Sequence, residues 1–511
     1  MKRLLIICMM LLVVPAGLLA GSEGLQIPVQ EFTLDNGMTF LVVERHNAPV
    51  FSGYICVGAG SAYERIGNIG MAHLLEHMMF KGSQEVGTTD WEAERDLMMK
   101  EDSVWAKIDD AMQETRYIRL NQPEKLDEHL KYIEDLNSLL DSLAAASSKY
   151  VIQNEFDRIY SRNGAAQFNA TTGYDFTYYY VSMPANRLEL WFNMEAGRLI
   201  HPAFREFFPE RDVVSEERRQ SVENSPDAKL FEQLIGTAFI AHPYQIFWEW
   251  QSEENMLTRA DAQHFFDTYY IPQRISVAIV GDVTLDEVKE MAEKYFGAMP
   301  RGRDPEPIYT VEPPQPGERR VQLEFDANPM LTIAYHKTAF DDPDEPAFSV
   351  IERLLGDGRT SRLYKSLVLE KQLCLDIGVY TFPGNMMGDL HPSVFCIDAY
   401  PKEGVTTGQI ETAVYEELAK LASEPVDETE LTKIKNNIDA DFVWGTYSNM
   451  GLAQFLARAH NLARDWRYLS TLRERLLAVT ADDIMNIAAE YFTKENRTVA
   501  TLIPKAKGGE Q

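Results

Sequence analysis

Residues 258–280 read TRADAQHFFDTYYIPQRISVAIV, and residues 480–502 read TADDIMNIAAEYFTKENRTVATL. Each reads as a helix that ends on an aromatic pair, Tyr269-Tyr270 or Tyr491-Phe492. A turn follows, then a β-branched strand, Ile275 to Val280 or Arg497 to Leu502. A second pair of landmarks stands earlier in each half. An extended segment leads into a short apolar helix at His73-Leu74-Leu75-Glu76-His77 and again at Ser349-Val350-Ile351-Glu352-Arg353. The two pairs are offset by different amounts, so this is a long-period duplication whose first copy carries a large insertion.

The insertion lies at about 91–160. It is highly charged, with helical apolar spacing at Met98, Trp105 and Ile108 and again at Leu126, Leu130, Ile133, Leu136 and Leu140. Asn121-Gln122-Pro123 breaks it, which predicts a helical hairpin. That hairpin is either a solvated appendage or a docking surface or lid. Six prolines between positions 300 and 316 stiffen the chain and remove donors, so 300–317 reads as an extended linker. The chain divides into a first lobe at 26–299 and a second at 318–507. Strands at 32–44, 49–57 and 176–183 mix with helices without βαβ alternation, and Asp35-Asn36-Gly37 reads as a type I′ hairpin turn. The fold class expected is α+β: two similar lobes, each an antiparallel-rich sheet packed with helices.

A chain of 511 residues with 45% apolar and 25% charged residues is neither disordered nor fibrous. Its formal net charge of −29 repels phosphate backbones, which argues against nucleic-acid binding. Lys2 and Arg3 precede the apolar run Leu4 to Ala20, and small residues follow. This pattern predicts a secretory signal peptide over 1–22 and an exported, periplasmic or secreted, soluble protein without a stable membrane span after its removal. An uncleaved anchor is the other reading of that run, although it is short for a span. Cys56, Cys374 and Cys396 do not form a disulfide scaffold, and Cys56 and Cys396 sit in strand-like runs where a buried thiol is expected.

The chemistry concentrates in Gly70–Phe80. Of ten histidines, only His73 and His77 are four apart. On a helix that spacing puts both imidazoles on one face, with Glu76 beside them. Two imidazoles and a carboxylate form the ligand set of an open zinc site, where water becomes acidic enough for a neighbouring carboxylate to take its proton. The plain alternative is two ordinary helix histidines. The helix is apolar, however, and placing three polar groups on it needs a reason. Glu210, Val213, Val214 and Glu217 share a face of a later helix, so Glu217 is a candidate third ligand and Glu210 a supporting acid; two solvated glutamates would look the same.

In this order of motifs, with His-x-x-Glu-His in the first lobe only, the chain resembles the M16 metallopeptidases, the inverted zincins that include pitrilysin, insulin-degrading enzyme and mitochondrial processing peptidase. Gly58-Ala59-Gly60-Ser61, Gly281-Asp282-Val283, Ser361-Arg362-Leu363-Tyr364 and Asp465-Trp466 extend the resemblance over nearly all of 26–505. It is similar in length to the processing-peptidase-like members, whose subunits pair as dimers. The resemblance implies a zinc endopeptidase with one Zn2+ per chain, held by His73, His77 and Glu217. It implies Glu76 as general base, Glu210 in support, and a peptide or unfolded segment bound along Phe168-Asn169-Ala170-Thr171. The third ligand lies farther from the motif than in the family, by about the length of the insertion. Members that act alone carry an arginine and a tyrosine in the second lobe. Val368 and Leu375 stand there instead, so a zinc-less partner subunit supplying that pair is expected, with a homodimer as the other arrangement. The rival class is a non-catalytic scaffold of the same fold.

Overall fold

Ile275–Gly281 is buried along its whole length, as a central strand covered on both faces must be. It organises the first of two sheets in a computed structural model that describes residues 27–385 and 387–505. The strands of the first sheet are β1 (Gln30–Thr33), β2 (Thr39–Glu44), β3 (Val50–Val57), β4 (Ala166–Thr172), β5 (Thr177–Pro184) and β6 (Ile275–Gly281). They lie in the order β1-β2-β6-β3-β5-β4. The second sheet has β7 (Arg319–Phe325), β8 (Met330–Lys337), β9 (Cys374–Phe382), β10 (Ser393–Pro401) and β11 (Arg497–Pro504), in the order β7-β11-β8-β10-β9. With β1 set aside the two orders are the same. In each of these five-strand orders one parallel pair, β2 with β6 or β7 with β11, precedes three antiparallel ones, and β1 adds a further antiparallel pair to the first sheet. The molecule is α+β with two similar lobes, as its sequence predicts.

One face of the first sheet carries Phe40, Val42, Phe51, Ile55, Val277 and Ile279. The motif helix Met71–Met78 and the helix Leu188–Ile200 cover it through Leu74, Leu75, Met78, Trp191 and Phe192. Its other face, with Leu41, Tyr54, Cys56, Ala278 and Val280, is covered from the second lobe. Helix Asn449–Ala463 lies against β3 and β6. There Asn461 Nδ2 donates to the Cys56 carbonyl (2.7 Å) and Arg458 Nε to the Tyr54 hydroxyl (3.0 Å).

The exchange is reciprocal. Helix Pro226–Ala238 of the first lobe packs Leu230, Leu234 and Ile235 on Met330, Ala334, Val394, Ala500 and Leu502 of the second sheet. Its C-terminal carbonyls accept from second-lobe groups: Arg319 donates to Ala238 and Thr237, and His336 Nε2 lies 3.0 Å from the Ala238 oxygen. The Arg319 cation at this helix C-terminus also complements the helix dipole. Each sheet is thus sandwiched between helices from both halves.

The insertion forms helices Trp91–Asn121 and Leu126–Ser147, packed against each other, then Glu155–Arg162. Trp105, Ile108, Leu136 and Leu140 are buried near its base, whereas Tyr117, Leu120 and Tyr132 toward its tip are exposed. Residues 300–317 have no regular structure, and Glu312 accepts hydrogen bonds from the backbone N–H groups of Ile240, Ala241 and His242. Cys56, Cys374 and Cys396 are buried and unpaired.

The expected type I′ turn is not what forms. Gly37 alone has a positive φ, of 98°, while Gly37 N donates to the Leu34 carbonyl and Leu34 N to Met38. This is a type I turn closed by a left-handed glycine. The physical reason is loop length: Leu34 pairs with Met38, leaving three loop residues, and a three-residue hairpin loop takes a type I turn followed by a left-handed residue. The Asn36 side chain also donates to the carbonyls of Phe296 (2.8 Å) and Met299 (3.0 Å). The expected signal segment, 1–22, lies outside the described residues. No helix among the described residues is long and apolar enough to cross a membrane.

Candidate metal centre

The motif helix Met71–Met78 buries Met71, Ala72, Leu74, Leu75 and Met78 against the sheet, and turns His73, Glu76 and His77 to its half-buried face. Its N-terminus is held by a residue six positions before its N-cap, Gly70. The Glu64 carboxylate accepts from Gly70 N (3.0 Å) and Ala72 N (2.7 Å), satisfying donors that a helix start leaves open. Burial pushes the Glu64 carboxyl up to about 8, against those two hydrogen bonds. Gly70 is fixed by geometry: its φ is +99°, and a Cβ there would lie 2.7 Å from the Cβ of Glu249.

Helix Phe207–Arg218 brings the second group of residues. It is anchored through Phe207, Phe208, Arg211 and Val214, all buried, with the Arg211 guanidinium 4.3 Å from the Trp105 ring centroid at the base of the insertion. Val213, expected on the packed stripe, is 51% exposed, because the helix meets the core along Arg211 and Val214 instead. Glu210 and Glu217 both face the motif helix. Glu216 points elsewhere, pairing with Arg219 (2.6 Å) and accepting from Gln220 (3.0 Å).

The three expected ligands come together. Glu217 Oε2 stands 3.6 Å from His77 Nε2 and 3.9 Å from His73 Nε2, and donor atoms of the three residues lie within 4.8 Å of one another. Tetrahedral zinc with bonds of about 2.05 Å needs donors roughly 3.3 Å apart, so a small contraction would close this set on one ion. The opposite ring nitrogens show which way the imidazoles are oriented. His77 Nδ1 is 3.0 Å from Glu210 Oε1, and His73 Nδ1 is 3.1 Å from Glu249 Oε1. An ionised carboxylate only accepts, so each Nδ1 carries a proton, which leaves Nε2, on the Glu217 side, as the nitrogen that would ligate a metal once the imidazole is neutral. The donor chemistry therefore fits zinc.

Without a metal, the surrounding carboxylates favour the protonated form of His73. Burial lowers the His73 imidazole, but the Glu249 hydrogen bond, with the charges of Glu249, Glu76 and Glu217, raises it overall to about 9 in the metal-free protein. Burial raises the Glu210 carboxyl, yet hydrogen bonds from His77 and Lys81 hold it below the usual carboxylate range. Lys81 Nζ sits 2.5 Å from Glu210 Oε2.

Glu76 lies beside the triad, and its Oε2 accepts from the Thr172 hydroxyl at 2.5 Å. Thr172 ends β4, the edge strand of the sheet. The expected substrate segment, Phe168 to Thr171, belongs to this strand, but its side chains part company. Phe168 turns inward onto Tyr160 (4.6 Å between ring centroids) and Phe80 (5.4 Å), so it anchors the strand to the end of the motif helix. Asn169 is exposed and its side-chain oxygen accepts from Ala170 N. Ala170 and Thr171 line a cavity of about 310 Å³, together with His73, Glu76 and the segment Ile246–Glu249. No second-lobe residue lines this cavity among the described residues. Val368 is half-buried on the second-lobe core and Leu375 is 62% exposed on β9.

Sequence reasoning missed Glu249, Trp248, Thr172, Glu64 and Lys81. Glu249 is 176 residues from His73, on an irregular segment with no periodicity to flag it. Thr172 was within reach, one residue past the segment chosen.

Comparison with known proteins bears on this geometry. The family model described as Insulinase (Peptidase family M16) matches residues 39–104 and 131–247, and that described as Peptidase M16 inactive domain matches 256–438. The stretch left between the first two segments falls in the helical insertion. A Helicobacter pylori protein named Zinc protease PqqE is 30% identical over 376 residues, 72% of this chain and 82% of that protein. The crystal structure of a protease from Helicobacter pylori superposes with a TM-score of 0.75 at 25% identity, covering 94% of this chain and 100% of the other. A Pseudomonas fluorescens structure described as a peptidase M16 inactive domain shares the fold, with a TM-score of 0.69 at 17% identity over 94% of this chain and 98% of its own. The duplicated lobes, the two matching models and the Helicobacter relative together make this chain a member of peptidase family M16.

Proposed function

We propose that this protein is a zinc-dependent endopeptidase that hydrolyses peptides or unfolded protein segments. The observation that carries the reading is the convergence of His73, His77 and Glu217 on one point, with Glu76 and the end of edge strand β4 beside it. Bound by three protein ligands, zinc would keep an open position, supplying Lewis acidity and lowering the pKa of water to about 7. Glu76 takes a proton at its carboxylate and passes it to the leaving amine, and the Thr172 hydroxyl holds that carboxylate in place. Glu210 and Glu249 keep the imidazole protons on Nδ1. The free side of β4 receives an extended peptide by main-chain hydrogen bonds, which admits unfolded segments and excludes folded ones.

Among the described residues the second lobe brings no hydrogen-bond donor into the cavity lining, and loss of one such donor to a tetrahedral intermediate costs about 3 kcal/mol. The reading therefore includes a dimer in which a zinc-less family member supplies an arginine and a tyrosine. It also places the mature protein outside the cytoplasm, on the strength of the basic and apolar pattern of residues 2–22. A scaffold is the second reading, favoured by Val368 and Leu375 and by the inactive-domain description of the model matching 256–438.

Hydrolysis of a mixed pool of unstructured peptides by the zinc-loaded chain, alone and with a zinc-less family member, separates these. Cleavage by the chain alone that Glu76→Gln abolishes supports the peptidase and rejects the obligate partner. Cleavage only in the mixture supports both. Silence in both arms favours the scaffold.

A further inference from the structure

Glu249 does not reach His73 unaided. Its Oε1 also accepts from Trp248 Nε1 at 2.7 Å, and the Trp248 ring stands edge-on to the His73 imidazole, 5.7 Å between centroids at 89°. The Glu249 side chain is 6% exposed, so water does little to steady it. The segment carrying both residues has no helix or strand of its own. What fixes it is aromatic packing that crosses between the lobes. Phe247 lies 5.0 Å from Phe231 and 6.1 Å from Phe382, and Phe231 lies 4.8 Å from Phe382. Phe382 also meets Tyr174 edge-on at 5.2 Å, and the Tyr174 hydroxyl donates to the Ile246 carbonyl at 2.7 Å. Phe382 is the last residue of β9, the edge strand of the second lobe.

We infer that Trp248 and Glu249 are positioning residues for the metal centre, and that the second lobe seats them through Phe382. The second lobe, which lacks a ligand motif, then acts on the first by setting the orientation and tautomer of His73. A ligating imidazole binds well only when its other nitrogen is held, and partners of this kind are typically worth about 10–100-fold in metal affinity. Such a hold is only as firm as the segment that supplies it. Here that segment rests on rings contributed by both lobes, so loosening the junction loosens His73. This inference rests on the zinc reading above.

The test is zinc affinity of the full-length chain, by competition with a chromophoric chelator, together with the visible spectrum of the Co2+-substituted protein. Glu249→Ala is expected to weaken zinc binding about 10–100-fold and to alter the cobalt bands. Glu249→Gln keeps an acceptor oxygen and is expected to recover much of that loss. Phe382→Ala, on the other lobe, acts one contact farther from the metal, so its expected effect is a several-fold weakening, smaller than that of Glu249→Ala. The exposed Leu369→Ala serves as a second-lobe control expected to match the wild type. A denaturation midpoint read on each variant separates a loosened site from an unfolded chain. Wild-type affinity and an unchanged cobalt spectrum in folded Phe382→Ala would overturn the coupling between lobes. The same result in Glu249→Ala would overturn the positioning role. A wild-type chain that binds no zinc would instead overturn the reading on which both rest.

Discussion

His73 shows how one side chain links stability, protonation and metal. In the metal-free protein its imidazole is raised from 6.5 to about 9 by Glu249 and neighbouring carboxylates, against burial. A group raised by folding stabilises fully below its unfolded pKa, and that contribution disappears as pH climbs through the folded value. Chelated protein should therefore lose stability between about pH 6.5 and 9. Zinc-loaded protein should not show this component, because a ligated imidazole carries no extra proton. Melting curves across that range, with and without chelator, check it; parallel profiles would contradict it. Glu76 makes a contrasting case. It sits beside the triad without belonging to it, so Glu76→Gln should retain one zinc per chain while hydrolysis falls by about 10²–10⁴ or more. Zinc content and turnover measured on one sample decide this. His73, Glu76 and His77 were legible because helical periodicity puts i, i+3 and i+4 on one face. Glu249 and Trp248 were not, since an irregular segment has no period and its partner lies far away in the chain.

Helix Pro226–Ala238 belongs to one lobe by sequence and packs on the sheet of the other. Its Leu234 is fully buried there. Leu234→Ala should cost about 2–5 kcal/mol in denaturant unfolding, because the surrounding strands cannot collapse into the void. A cost below about 1 kcal/mol would mean that this contact is not formed in solution. The duplicated helix–strand unit was legible because both copies keep the same aromatic pair, turn and strand run. The exchange of helices was not, since an apolar stripe states that a face is buried and not which sheet buries it. The type I′ reading of Asp35-Asn36-Gly37 failed for a local reason: the loop has three residues rather than two, and Gly37 closes a type I turn.

The exchange makes the two lobes one thermodynamic body. Each sheet loses its cover if the other lobe unfolds, so the chain should unfold in a single cooperative transition despite its length. Two well-separated calorimetric transitions would contradict this. The same architecture brings β9 of the second lobe to the segment that holds His73, while the cavity lining, among the described residues, comes from the first lobe. The fold class, the duplication and the grouping of His73, Glu76 and His77 could be read from spacing and periodicity, whereas Glu217 as the third ligand was implied by the family resemblance. The way in which the lobes share their helices and brace the site required coordinates.

One zinc ion held by His73, His77 and Glu217 beside Glu76 is the proposal on which the rest depends. Anomalous diffraction at the zinc absorption edge, on crystals of the full-length chain loaded with zinc, tests it most directly. One strong peak per chain is expected, within bonding distance of His73 Nε2, His77 Nε2 and a Glu217 oxygen. No peak there, or a zinc ion held by other residues, would contradict it.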